Sequence, residues 1–250
     1  VILVMEAFTD WHSPDQIVGA SAEQVRIAVA ELSGLASKYW NTPPTEEFLW
    51  LKKADDEAYD TLAPDYAACV PILLERFAAD WPDQANTTLE MVSGNYSDIR
   101  QAILNGTQVL SHWDFRVENL FFGSDGAFAV IDWQLMHMDN PANDLAYLLA
   151  TNVEIGLRRE IEADMMALYL QGLRERGIQN YGLAELVADY RLALLSISAI
   201  PVIGGANADI GNERSYALFS TLGARLLAAI EDWQATEVIP GLASGGNSRA

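Results

Sequence analysis

Residues 112–134 (HWDFRVENLFFGSDGAFAVIDWQ) place several polar side chains between two short apolar runs. These include His112, Asp114, Asn119 and Asp132. A carboxylate can orient a substrate hydroxyl and accept its proton. Carboxylate and amide oxygens are also the ligands that a hard cation such as Mg²⁺ prefers. The segment therefore contains the groups needed for a general base beside a metal site.

The elements around these side chains predict that they meet. Three short strands are predicted, with Gly-Ser-Asp-Gly as a tight turn between the second and third: 107–112, 119–123 and 127–132. Asn119 opens the second strand and Asp132 closes the third, so antiparallel pairing brings both to one edge. His112 and Asp114 leave the first strand at that edge. We expect all four at the mouth of one small sheet.

Helical periodicity predicts amphipathic helices on both sides of this β region, because apolar residues recur three and four apart. The predicted ranges are 22–40, about 45–60, 64–80, 96–105, about 141–150, 154–176, 183–200 and 212–235. Ser21 is the expected N-cap of the first helix. The tail 241–250 is small and polar enough to be disordered. The expected fold class is α+β, mostly helical, with a small β-hairpin region that carries the polar loop.

The charge and hydropathy of the chain limit the classes of partner that it can bind. The chain carries 35 acidic and 15 basic residues, a formal net charge of −20, which argues against nucleic acid as a partner. An acidic surface could attract a cationic small substrate, but a solvated surface that keeps the protein soluble is the favoured explanation. The longest apolar candidate, 192–203, is short and interrupted by Ser and Pro, so no membrane span is predicted. The single cysteine, Cys69, agrees with the predicted cytoplasmic location.

The spacing His112-x-Asp114-x₄-Asn119 resembles the catalytic loop of kinase-fold phosphotransferases, and Asp132 stands where that fold needs a metal-binding Asp. The segment PANDLAYLL (141–149) looks like the Pro-x-x-Asp-Leu-Ala segment of aminoglycoside phosphotransferases and choline kinases. Residues 14–40 resemble the first large helix after the hinge in the ecdysteroid-kinase-like branch, also called CHK kinase-like, and VILVMEAF resembles its hinge strand.

Two positions depart from the family pattern. Trp113 replaces the Gly usual between His and Asp, and Ala36 stands where relatives often have His. Protein kinases accept a bulky residue at the position of Trp113, so this departure is not expected to inactivate the loop.

The resemblance implies a role for each residue. Asp114 would be the base, His112 would brace the catalytic loop, and Asn119 and Asp132 would bind Mg²⁺. Arg116 would either reach the γ-phosphate or form a surface ion pair with Glu118 or Asp125. In the hinge, Glu6, Ala7 and Phe8 would contact the nucleotide. The implied activity is phosphoryl transfer from ATP or GTP to the hydroxyl of a small molecule; the alternative is a catalytically silent kinase-like binding or scaffold protein.

Other polar residues have simpler interpretations. His12 and His137 lack the spacing of a ligand pair, so we expect surface or loop histidines and no zinc site. Asp144 is expected to begin a helix and anchor the catalytic loop. For the acidic run 55–60, a solvated helix face is favoured over a wall of a cationic pocket.

Two parts of a kinase nucleotide site are not found in the sequence, namely a Gly-rich loop and a strand-borne Lys. The three lysines, Lys38, Lys52 and Lys53, fall on predicted helices, and the Gly-containing segment 203–211 follows a helix. The expected organisation is therefore a hinge strand at 1–10, a kinase-like C-terminal lobe at 11–240 and the tail. An N-terminal lobe is expected upstream, and the 250 residues alone are expected to be inactive.

Overall fold

The computed structural model describes residues 8–42, 62–124 and 126–245. Most of the predicted hinge strand, the predicted helix at 45–60 and the acidic run 55–60 therefore lie outside the described residues. Thr9 and Asp10 form a turn, so the predicted strand does not extend to residue 10, and Trp11 and His12 form a short strand.

The described part of the chain is mostly helical, with short antiparallel strands, as the predicted α+β class requires. The helices are α1 (Ala22–Lys38), α2 (Leu62–Phe77), α3 (Ala85–Leu104), α4 (Asn143–Asn152), α5 (Ile155–Glu175), α6 (Leu183–Ile197), α7 (Ala199–Asn207), α8 (Glu213–Asp232) and α9 (Ile239–Gly245). The strands are β1 (Trp11–His12), β2 (Val109–Ser111), β3 (Leu120–Gly123), β4 (Phe128–Val130) and β5 (His137–Asp139).

Helix α1 begins where the sequence indicates, because Ser21 and Gln24 cap it reciprocally. The Ser21 side chain accepts from the Gln24 amide at 3.3 Å, and the Gln24 side chain accepts from the Ser21 amide at 2.9 Å. The apolar face of α1 packs mainly against α5. Helix α3, by contrast, begins at Ala85, although the sequence predicts a start at 96. The predicted start is too late because Thr, Ser, Gly and Asn residues in the first half of the helix mask the apolar spacing.

The strands form two sheets, and the expectation of one small sheet is wrong. Strands β1, β3 and β4 form one sheet, in which β3 and β4 pair as the predicted hairpin with Leu120 opposite Val130. Strand β2 pairs instead with β5, which places Ser111 opposite His137. Sequence reasoning missed β5 because its residues, His-Met-Asp, show no apolar alternation, although all three are buried.

The centre of the fold is α4, whose ten residues are all buried, and which packs against α6 and α8. Helices α6 and α7 replace the single predicted helix at 183–200. The helical stretch 183–207 is long and apolar enough to cross a bilayer, but 61% of its most apolar window is buried within the fold, as is common for a core helix. Its burial gives it a packing role in this structure.

Two segments on the C-terminal side are more helical than the sequence indicates. Gly204 and Gly205, in the stretch expected to follow a helix, lie inside α7, where an added Cβ would meet Phe219 and Leu73 within 2.7 Å, so these glycines allow close helix packing. Residues 241–245 are helical in α9, so the predicted disorder does not apply to them.

Candidate functional site

His112 holds the first turn of the polar loop in place. It is fully buried, its Nε2 donates to the Ile131 carbonyl at 2.9 Å, and its Nδ1 accepts from the Asp114 amide at 3.3 Å. A donor at Nε2 and an acceptor at Nδ1 correspond to the neutral imidazole tautomer. Both ring nitrogens are occupied by the backbone, so His112 braces the loop and ties it to the segment that carries Asp132.

Asn119 orients the Asp114 carboxylate. Its Nδ2 donates to the Asp114 backbone oxygen at 2.9 Å and to Asp114 Oδ2 at 3.0 Å. Because the amide nitrogen is used in this way, the side-chain Oδ1 of Asn119 faces away from Asp114. This oxygen has no hydrogen-bond donor within the described ranges. It is therefore available as a metal ligand.

Asp132 lies at the same end of the hairpin. The preceding residue, Ile131, donates its amide to the Asn119 carbonyl at 3.0 Å and accepts from His112. Asp132 is exposed and adopts a left-handed conformation, with φ of 65°. Its negative charge contributes to the raised pKa of Asp114. The structure thus gathers His112, Asp114, Asn119 and Asp132 at one edge.

Partial burial raises the pKa of Asp114 above its ordinary value. The Arg116 guanidinium and the hydrogen bond from Asn119 oppose this rise, and the negative charge of Asp132 adds to it. The Asp114 side chain retains 14% exposure. It is a carboxylate whose basicity is increased while a substrate can still reach it.

Asp144 anchors the catalytic loop, as predicted. One oxygen of its carboxylate accepts from Ser111 Oγ at 2.8 Å and from the Trp113 amide at 2.9 Å, and the other accepts from the His112 amide at 2.7 Å. At the far end of α4, Asn152 Oδ1 accepts from the Val117 amide at 3.0 Å. The buried helix α4 therefore holds the loop at both ends.

Trp113 occupies a strained backbone position. Its φ is 66°, a region that costs a residue with a side chain about 1–2 kcal/mol and costs glycine little. Its indole Nε1 donates to Asp139 Oδ2 at 3.0 Å, and the ring packs on His137 with centroids 5.0 Å apart. These side-chain contacts hold Trp113 in this backbone conformation.

Asp139 is the centre of a buried charge cluster that sequence reasoning missed. Besides Trp113, its Oδ2 accepts from Arg100 Nη1 and His137 Nε2, each at 3.0 Å. Burial alone would raise the pKa of Asp139, but Arg100 and the hydrogen bond from His137 outweigh it and hold the pKa well below its usual range. His137 is fully buried, so the expectation of a surface or loop histidine is wrong for it, whereas His12 is exposed.

Arg116 forms an ion pair with Asp114, at 3.5 Å between Nη1 and Oδ2. The alternative pair with Glu118 is wrong, because Glu118 pairs with Arg214 at 2.8 Å, while Asp125 lies outside the described residues. The Arg116 side chain is 37% exposed. A partly exposed cation therefore lies beside the Asp114 carboxylate.

Of the three predicted nucleotide-contacting residues, Glu6 and Ala7 lie outside the described residues. Phe8 packs on Phe121 of β3 and on Trp11, with ring centroids 4.9 and 5.1 Å apart. An aromatic surface thus adjoins the sheet that carries Asn119. Lys38 lies on α1, as predicted, and is its last residue, whereas Lys52 and Lys53 are not described.

Two residues beside the base, Tyr147 and Gln16, were not singled out in the sequence. Tyr147 follows Asp144 by three residues on α4, so both lie on one helix face. That spacing is a sequence signal that could have identified Tyr147. Gln16 lies in the segment between β1 and α1 and reaches the site through tertiary packing alone.

A His-x-Asp loop, an Asn five residues after the Asp, and a hairpin that leads to a second Asp form the catalytic arrangement of kinase-like phosphotransferases. The model of the ecdysteroid kinase-like family matches residues 41–180, more than half of the chain, including this loop and hairpin. The chain belongs to the ecdysteroid kinase-like family. No curated protein sequence gives a significant match.

Proposed function

We propose that the protein transfers the γ-phosphoryl group of ATP or GTP to a hydroxyl of a small molecule in a Mg²⁺-dependent reaction. The observation that carries the proposal is the double hydrogen bond from Asn119 to Asp114. It fixes the carboxylate of the base and leaves the Asn119 carbonyl oxygen free at the same edge as Asp132. A base and two oxygen ligands are thus held in register by one loop and one hairpin.

Asp114 is the proposed base. Phosphoryl transfer passes through a loose transition state, so orienting the hydroxyl and stabilising charge contribute more than strong basicity. Asp114 would hold the acceptor hydroxyl and take its proton once the new bond to phosphorus forms. Its raised pKa brings it closer to the range of an effective general base.

Asn119 and Asp132 are the proposed metal ligands. Their free oxygens are hard donors, and Mg²⁺ in nucleotide sites takes one or two protein ligands together with phosphate oxygens and water. Among the described residues there is no group of three or more His, Cys, Asp or Glu side chains that could hold a metal ion by itself. A Mg²⁺ site completed by phosphate oxygens and water does not require such a group. When bound, the ion would neutralise phosphate charge.

Arg116 and Phe8 have supporting roles in this proposal. The half-exposed Arg116 guanidinium would offer charged hydrogen bonds to the transferred phosphoryl group. The aromatic surface of Phe8 and Phe121 would contact the nucleotide base. The acidic balance of the chain favours a diffusible acceptor, cationic ones included, over nucleic acid or an anionic membrane surface, and we propose that the protein acts in the cytoplasm.

A transfer assay on the full-length gene product tests the proposal. Labelled γ-phosphate from ATP or GTP would be followed onto a panel of sugars, aminoalcohols and sterols, with Mg²⁺ or with a chelator. We expect Mg²⁺-dependent transfer to at least one acceptor class, and a loss of about 100-fold or more in Asp114→Asn. Asp164→Asn, on the exposed side of α5, serves as the matched control. Full activity in Asp114→Asn would refute the proposal.

A further inference from the structure

The two oxygens of the Asp114 carboxylate have different partners. Oδ2 faces Asn119 and Arg116, at 3.0 and 3.5 Å. Oδ1 lies 3.4 Å from the hydroxyl of Tyr147, which donates to it from α4. Tyr147 is 1% exposed, and its ring is fixed in the core. The oxygen that Asn119 leaves free is therefore the one that faces Tyr147.

The Tyr147 hydroxyl remains a donor across the working pH range. Burial, and then the charge of Asp114, raise the pKa of Tyr147 far above its ordinary value. A carboxylate has only acceptor sites, so the proton between the two groups belongs to the phenol. The bond length, at the long end for a hydrogen bond, is common in catalytic groups before substrate draws them together.

We propose that Tyr147 is a positioning residue for the base, which holds Asp114 Oδ1 toward the acceptor hydroxyl. The inference rests on the proposed function, since it assigns the reason for fixing this carboxylate. With Asn119 on one oxygen and Tyr147 on the other, rotation of the carboxylate is restrained on both sides. The donor also stabilises the ionised form of Asp114, which is the form that accepts a proton.

The test is steady-state kinetics of the full-length gene product. Tyr147→Phe keeps the buried ring and removes one oxygen, so Asp114 Oδ1 loses its donor. Tyr169→Phe is the control, since the Tyr169 hydroxyl is also buried but donates to the Pro141 carbonyl at 2.7 Å; it should leave kcat and the nucleotide KM unchanged.

In Tyr147→Phe we expect kcat to fall about threefold to tenfold while the nucleotide KM stays the same, because the nucleotide does not contact the freed carboxylate oxygen. An unchanged kcat in Tyr147→Phe, or an equal fall in Tyr169→Phe, would overturn the positioning role. Failure of the wild type to transfer phosphate to any acceptor would overturn the proposed function instead.

Discussion

The side-chain nitrogen of Asn119 donates to both the backbone oxygen and Oδ2 of Asp114, at 2.9 and 3.0 Å. One amide therefore orients the Asp114 carboxylate at the end of the hairpin that leads to Asp132. In the proposed function Asp114 is the base and Asp132 a metal ligand, so substitutions at these two positions should have different effects.

Asp114→Asn should stabilise the fold at neutral pH while it removes activity. Because burial raises the pKa of Asp114, the folded state holds the proton more tightly than the unfolded chain does. Ionised Asp114 therefore destabilises the fold at pH 7, and this effect disappears as the pH falls below the ordinary Asp pKa of about 3.9. Urea unfolding should show Asp114→Asn to be the more stable protein at pH 7, with the gap closing toward pH 4. Lower stability of the variant at pH 7 would contradict this account of the site.

Asp144→Asn should destabilise the protein by about 2–4 kcal/mol. The carboxylate accepts three hydrogen bonds, from Ser111 Oγ and from the amides of His112 and Trp113, and a neutral amide cannot accept all of them with equal strength. Urea unfolding measures the loss, with Asp164→Asn as the surface control. A loss below about 0.5 kcal/mol, the usual range for surface substitutions, would mean that Asp144 does not anchor the loop.

The stability of the fold should depend on the indole N–H of Trp113. Trp113→Phe retains an aromatic ring and loses the bond to Asp139, with an expected cost of about 1–2 kcal/mol. Trp113→Gly relieves the left-handed strain but also loses the packing on His137, so we expect it to be less stable than the Phe variant. Far-UV circular dichroism in urea gives the comparison without relying on tryptophan fluorescence. Greater stability of the Gly variant than of the wild type would show that strain outweighs these contacts.

Local chemistry in the sequence predicts the central residues well. The loop and the following hairpin depend on contacts between residues that are close in sequence. The structure accordingly brings together His112, Asp114, Asn119 and Asp132. Asp144 could be assigned because a carboxylate at a helix start has a physical reason to be there.

The remaining parts depend on distant contacts, which residue patterns do not encode. Strand β2 pairs with β5 across the intervening hairpin of β3 and β4. Strand β5 is largely polar in sequence although it is buried in the fold. Arg100 lies on the same face of α3 as the buried Tyr96 and Ile103, a position at which a charge signals a buried partner, but the sequence does not identify that partner as Asp139.

Calorimetric titration of the full-length gene product with ATP, with and without Mg²⁺, tests the division of roles most directly. In Asp114→Asn, Mg²⁺-dependent nucleotide affinity should remain within about threefold of the wild type, because Asp114 faces the acceptor. In Asp132→Asn, the gain in affinity that Mg²⁺ provides should fall by about tenfold or more, while binding in the presence of a chelator stays the same. Equal losses of Mg²⁺-dependent affinity in both variants, or none in Asp132→Asn, would contradict the assignment of base and metal ligand.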